Sequence, residues 1–292
     1  MPEICLIPPA GEPVHVEEAK LDRRVSDSAD DARIRSLIAG ARMHAEMVTR
    51  RQLLHARWKL TLDAFPLAGS GTPMPFAESV NIPPYAVRLP HSPLVRVVSV
   101  QYLDMAGALQ TMPTSDYAVN QANEPALIAP AFGKIWPIVL PQIGAVTITY
   151  DAGYASPIKV NTSGGSTRQF SVIGPVTWAV GDRVQFYCSG DEAATLPAPL
   201  DADSAYLIET NPSPGVYTLT DTAGTQITFT DSGEGNGRSF IGIVPEGLRN
   251  WILLRVGSLY ENREEIAILP RGKAEQLPYI DGLLDPYRTS MP

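Results

Sequence analysis

The sequence predicts an α+β protein: a helical body with a small antiparallel β-sheet region, plus an inserted all-β domain of sandwich or barrel type. Three observations predict it. Apolar residues recur at helical spacing in residues 30–50 and again in 248–260. From about Trp58 the apolar period falls to two, and residues 158–243 break into short β-like runs separated by turn residues. The charge is also uneven. Residues 157–243 carry four Lys+Arg against nine Asp+Glu, whereas residues 1–57 carry nine of each, within a chain of 292 residues and net charge −8.

In chain order, "VEEAKLDRR" (16–24) reads as a short helix entered through Pro13. A longer helix follows in "DSADDARIRSLIAGARMHAEMVTRR", where Ile34, Leu37, Ile38, Ala41, Ala45 and Val48 form one apolar stripe. Ser28 and Asp31 have the spacing of a capping box at its start. "WKLTLDAF" alternates like a half-buried strand, and the Pro- and Gly-rich stretch 69–85 is a long loop. Strands resume in "AVRLP" and "LVRVVSVQYLD", turn at Met105-Ala106-Gly107, and continue near 117–121, 126–129 and 144–151. A pause falls at Gly153–Pro157.

Beyond it, "RQFSVIG", "DRVQFYCSG", "AYLIET", "VYTLTD" and "QITFTD" read as strands. After "SFIGI" the helical period returns in "LRNWILLRVGSLYENREE" (248–265), and "AEQLPYIDGLLDPYR" gives a last short helix. The economical organisation joins residues 1–157 with 244–292 as one body and leaves 158–243 as an insertion. The 248–265 helix ends in Glu261, Arg263, Glu264 and Glu265. A helix C-terminus carries partial negative charge, so these acids call for cationic partners. Arg50, Arg51 and Arg57 are the expected ones, in the same chain or a neighbouring copy; a merely solvated basic helix end stands beside that reading.

Composition excludes several function classes. An acidic chain does not suit a general nucleic-acid binder. No apolar run reaches the roughly 18–20 residues that span a bilayer, and the start shows no secretory pattern. Cys5 and Cys188 make neither a disulfide framework nor a zinc pattern, which fits synthesis in a reducing cytoplasm. The four histidines, His15, His44, His55 and His91, are scattered and read as solvated or capping residues. "GSGT" and "SGGST" lack the Lys-Ser/Thr of a phosphate loop, and "DSGEGNG" lacks the distal Glu of a strong calcium loop. Asp201 and Asp203 read as turn acids rather than a glycosidase pair. Neither a metal, a cofactor nor an enzymatic activity is expected.

The segments "LIPPAGEPVHVEEAKLDRRV", "DDARIRSLIAGARMHAEMVTRRQL", "WKLTLDAFP", "IPPYAVRLPHSPLVRVVSVQYLD", "DYAVNQANEPALIAPAFGKIWP", "AVTITYDAGY", "LRNWILLRVGSLYENREE" and "LLDPYR" stand in this order over roughly 1–156 and 244–288. In order and spacing they resemble the head–tail connector (adaptor) proteins of tailed bacteriophages. The chain departs from compact relatives by about 86 residues between the Ala-Gly-Tyr strand end and the long helix. That piece is similar to small β modules of phage structural proteins.

The resemblance implies a structural virion protein, made in the bacterial host cytoplasm and placed at the virion neck. It implies a homo-oligomeric ring, twelve copies in relatives, beneath the portal protein. The ring extends a channel through which DNA passes without sequence-specific binding, and it docks a tail-side neck or tail-terminator protein. No membrane is involved. A ring needs two unlike faces per subunit. Trp251, Leu254 and Tyr260, on the wide apolar face of the 248–260 helix, are the expected interface residues together with the charged clusters. Pro286, Tyr287 and Arg288 belong to an extended tail that would reach the portal. The alternative is a receptor- or glycan-binding or decoration protein acting through 158–243, with Trp178, Phe186, Tyr187, Tyr206 and Tyr217 as either strand core or sugar platform.

Overall fold

The computed structural model describes residues 2–66, 85–173, 177–188, 195–202, 204–233, 239–261 and 281–289. The chain divides into two compact units, Met1–Pro8 with Ala56–Gly153 and Thr289–Pro292, and Pro9–His55 with Tyr154–Arg288.

The first unit is built of strands. They are β1 (Glu3–Ile7), β2 (Ala56–Leu62), β3 (Val87–Leu89), β4 (Leu94–Leu103), β5 (Leu109–Thr111), β6 (Tyr117–Asn120), β7 (Ala126–Pro130) and β8 (Val146–Ala152). β1-β2-β8-β4-β5 form an antiparallel five-stranded sheet, and β3-β7-β6 a three-stranded one. Alternation explains which side is buried: Val146, Ile148 and Tyr150 of β8 point inward with Leu60 of β2, while Thr147 and Thr149 are only half-buried. Val87, Leu89 and Ile128 of the small sheet join that core. Phe65 stacks on Trp136 at 4.4 Å between ring centres.

The second unit combines three helices with a closed barrel. The helices are α1 (Val16–Arg23), α2 (Asp31–Thr49) and α3 (Glu246–Glu261). The barrel strands are β9 (Ala155–Val160), β10 (Phe170–Val172), β11 (Arg183–Cys188), β12 (Ala205–Ser213), β13 (Val216–Asp221) and β14 (Ser239–Gly242), ordered β10-β13-β12-β11-β14-β9. Ile34, Ile38, Ala41 and Ala45 of α2 bury against Leu248, Trp251, Ile252 and Val256 of α3 in one core. Tyr187 of β11 belongs to that same core, so the barrel wall and the helices pack as one unit. Phe170, Phe186, Tyr217 and Phe229 fill the barrel.

The expected helical body is overturned. The protein is mostly β, 35% strand against 22% helix, and all three described α-helices fall in the barrel's unit. The helical periods of residues 30–50 and 248–260 are real, but short strands outweigh the helices. β1 escaped the sequence reading because none of its side chains is fully buried, so it leaves no alternation. β9 runs through the expected pause, with Pro157 opposite Phe240. "QITFTD" makes only isolated bridges, Thr220 with Gln226 and Thr167 with Phe229. The capping box also fails: α2 is capped at Asp30 with no side-chain bond, and Ser28 contributes only its carbonyl, which accepts from the Asp31 N–H. Most of the expected 69–85 loop lies outside the described residues, as do residues 274–280 of the expected last helix; its described part, 281–288, is no α-helix but two 3-10 turns, Asp281–Leu283 and Asp285–Tyr287.

Candidate interaction surfaces

The cations that meet the end of α3 come from α1 and α2. Arg23 Nη1 lies 3.6 Å from Glu261 Oε1, and Arg23 Nη2 donates to the Leu253 carbonyl at 3.5 Å. Arg33 Nη2 donates to the Leu259 carbonyl at 3.5 Å, and its guanidinium sits 5.7 Å from the centre of the Tyr260 ring. Leu259 is in the last turn, where positive charge on a carbonyl is the favourable arrangement; Leu253 lies two turns earlier. Tyr260 completes the link by donating to Asp30 Oδ2 at 2.6 Å. Gly257 makes the crossing possible. A Cβ there would stand 1.9 Å from Arg23 Cζ, so Arg23 lies across the helix exactly where a side chain is missing. A glycine inside an apolar helix is the one sequence signal of this contact.

The expected basic residues are dispersed. Arg50 is the C-cap of α2 in the left-handed region, φ 56°, and is exposed. Arg51 Nε donates to the Tyr287 carbonyl at 2.5 Å. Arg57 is buried in the first unit against Asp151, at 2.8 Å. Within the chain, Glu261 is therefore held by Arg23, while Arg263, Glu264 and Glu265 lie outside the described residues.

Trp251 is buried and stacks on His44 at 5.6 Å, Tyr260 is half-buried, and Leu254 is exposed. Toward the C-terminus, Leu284 is buried in the helical core, and Pro286 and Tyr287 belong to the 3-10 turn that follows. Gly247 leaves room for the Tyr287 ring, whose Oη would be 2.9 Å from a Cβ. The tail is thus docked as far as Tyr287. Arg288 is extended and pairs with Asp285 at 3.2 Å.

A polar seam joins helices to barrel. Arg249 binds Glu18 at 2.5 Å and Glu246 at 2.7 Å, and its Nε donates to the Pro13 carbonyl. Arg183 of β11 reaches the same Glu18 at 3.4 Å. Tyr187 donates to Gln185 Oε1 at 2.6 Å, and Gln185 Nε2 donates to the Glu12 carbonyl. Burial pushes the Tyr187 hydroxyl far above its ordinary range, so it stays a neutral donor. Arg42 bridges Glu12 and Glu46, at 2.8 and 2.9 Å. Burial raises the Glu46 carboxyl against the opposing pull of Arg42. A cleft of about 1200 Å³ opens beside the seam, lined among others by His15, Glu17, Arg35, Arg183, Tyr206 and Asp221.

Two histidines depart from the solvated or capping role expected of them: His55 is buried with its ring 4.0 Å from that of Phe240, and His91 stacks on Trp58 at 3.7 Å while bonding Glu3; His44 is exposed. Trp178, Phe186, Tyr187, Tyr206 and Tyr217 are all buried and present no ring face for a sugar. Among the described residues no group of three His, Cys, Asp or Glu is placed to hold a metal ion.

No family profile matches the chain, and no curated protein matches it in sequence. Solved structures do. A chain in the virion of a native gene transfer agent (GTA) particle is similar in fold, with a TM-score of 0.53 at 15% identity, covering 100% of this chain and 97% of that one. A chain in the neck of the empty GTA particle, computed with C6 symmetry, gives the same values. At such low identity the likeness is one of fold, and it extends over both units.

Proposed function

We propose that the protein is a non-enzymatic structural component of the neck of a phage-like particle, acting as a head–tail adaptor. The observation that carries this reading is the whole-length likeness to GTA virion and neck chains, 100% of this chain against 97% of theirs. It includes the barrel that sets the chain apart from compact adaptors. In this reading the protein forms a ring, twelve copies as in adaptors, beneath the portal. The ring extends the DNA channel, and its far side receives a tail-side neck protein. An acidic chain, net −8, suits a channel wall along which DNA slides without sticking.

The insertion, residues 158–243, supplies most of the barrel; in this reading it widens the ring and offers surface to neighbouring neck proteins. The exposed end of the tail, from Arg288, is the part placed to reach the portal. The test is a cryo-EM reconstruction of the particle that carries this protein. Density for the paired sheets and the barrel in a ring at the head–tail junction supports the adaptor; density on the capsid shell or at the tail tip contradicts it.

A further inference from the structure

Between β7 and β8 the first unit presents an apolar knob. Phe132 is fully exposed, and Ile135, Ile138 and Ile143 are each at least 79% exposed. The segment is nevertheless firmly held. Trp136, four residues from Phe132, is buried against Phe65 and its Nε1–H donates to the Tyr85 carbonyl at 2.7 Å. The Leu140 N–H donates to the Leu103 carbonyl at 2.9 Å, and the Gly144 N–H to Asp63 Oδ1 at 2.8 Å. Residues 125–150 hold a single charged side chain, Lys134, and Asp116 pairs with it at 3.1 Å. Four large apolar side chains are thus fixed in water with their backbone anchored behind them. Large apolar side chains exposed together in one anchored segment point to a protein-binding face.

The area suits a subunit contact. A phenylalanine buries roughly 150–250 Å², so Phe132 with three isoleucines supplies the apolar centre of a standard footprint of about 800 Å² per partner. A closed ring requires a second, unlike patch on the same chain, and α2 has one. Met43 and Met47 are 62% and 68% exposed on one face of α2, and Gly40 on that face opens onto free space. Ser36, Gly40, Met43 and Met47 follow at spacings of four, three and four, all exposed and none charged, where a solvated helix face ordinarily carries charge. Methionine adapts its shape to an incoming side chain.

We infer that the Phe132–Ile143 knob of one copy seats on the Met43–Met47 face of α2 in a second copy of this chain, and that this contact propagates the ring. The inference rests on the ring proposed above. It is tested with the full chain, alone and mixed with its portal, by analytical ultracentrifugation and negative-stain imaging. The Phe132→Ser/Ile138→Ser variant should keep the wild-type circular dichroism spectrum, since both side chains are exposed, and should self-associate at least 100-fold more weakly. In a Cys5→Ser/Cys188→Ser background, Ile135→Cys with Met43→Cys should give intermolecular disulfides on mild oxidation, and either cysteine alone should not. Rings formed equally well by wild type and variant overturn this contact and leave the adaptor reading standing. Variant rings that no longer bind portal place the knob against the portal and overturn the contact too. A wild type that forms no ring with portal overturns both.

Discussion

Arg57 and Asp151 face each other across β2 and β8, and the carboxylate, with no exposed surface, takes the guanidinium at 2.8 and 3.3 Å. From the opposite neighbour β4, Arg96 Nε reaches the other carboxylate oxygen at 2.8 Å. Two cations from the flanking strands thus converge on one acid in the middle strand. Removing one member of a buried pair leaves uncompensated charge and costs about 3–5 kcal/mol. Asp151→Ala should lose about that much in urea unfolding. Arg57→Gln should cost more than Arg96→Gln, because Arg96 is partly exposed, so water screens its attraction to Asp151 and less is lost with it. Equal, small losses would contradict the account of this triad.

Two glycines test close approach in opposite directions. A Cβ at Gly242 would meet the Tyr154 carbonyl oxygen at 2.3 Å and the Tyr187 ring at 3.0 Å, one of them backbone. Gly242→Ala should therefore cost about 1–3 kcal/mol, as overpacking does. At Gly257 the obstacle is the flexible end of Arg23. Alanine there gains about 1 kcal/mol in helix propensity while displacing Arg23, so Gly257→Ala should be close to neutral in thermal unfolding.

Arg23 and Glu261 form a partly exposed pair, and such pairs contribute about 0–1 kcal/mol. Glu261→Arg should thus barely change the unfolding midpoint. Its proposed role lies between copies, where the acidic end of α3 would face the exposed Arg50 of a neighbour. Arg50→Glu and Glu261→Arg should each weaken ring formation in ultracentrifugation, and the double swap should restore it. Unchanged assembly in both single variants removes that proposal.

Asp104, Asp221 and Asp231 fasten turns by accepting backbone N–H bonds. Asp221 takes the Thr225 and Ala223 N–H groups, at 2.7 and 2.9 Å. These bonds hold its carboxyl below the ordinary 3.8, the Thr225 N–H foremost; Asp104 is lowered chiefly by Gln110, and Asp231 by the Ala198 N–H. A carboxyl lowered on folding adds stability that is complete above its unfolded value and lost as pH falls through the folded one. Acid should therefore loosen these turns below about pH 3.8. The Thr225 amide should lose exchange protection there, and Asp221→Asn should flatten that dependence.

Much of the core was legible. Ile34, Ile38, Ala41 and Ala45 were readable from helical spacing, and Leu60 from alternation, because burial imposes a period on the chain. The balance of helix and strand was misread for the same reason: strands such as β1 and β5 bury little and carry no period. Partners of charge were less legible than charge itself. Arg57 and Asp151 are 94 residues apart, and only the strand register joins them. The exposed knob was hidden because hydrophobicity in sequence says nothing of which side faces water, and Phe132 and Trp136 look alike there while one is exposed and the other buried.

The most direct test of the central claim is a negative-stain image of the purified protein mixed with its portal. The account predicts rings stacked coaxially on the portal, the channel continuous through both. Monomers that ignore the portal, with the two components migrating separately, would contradict it.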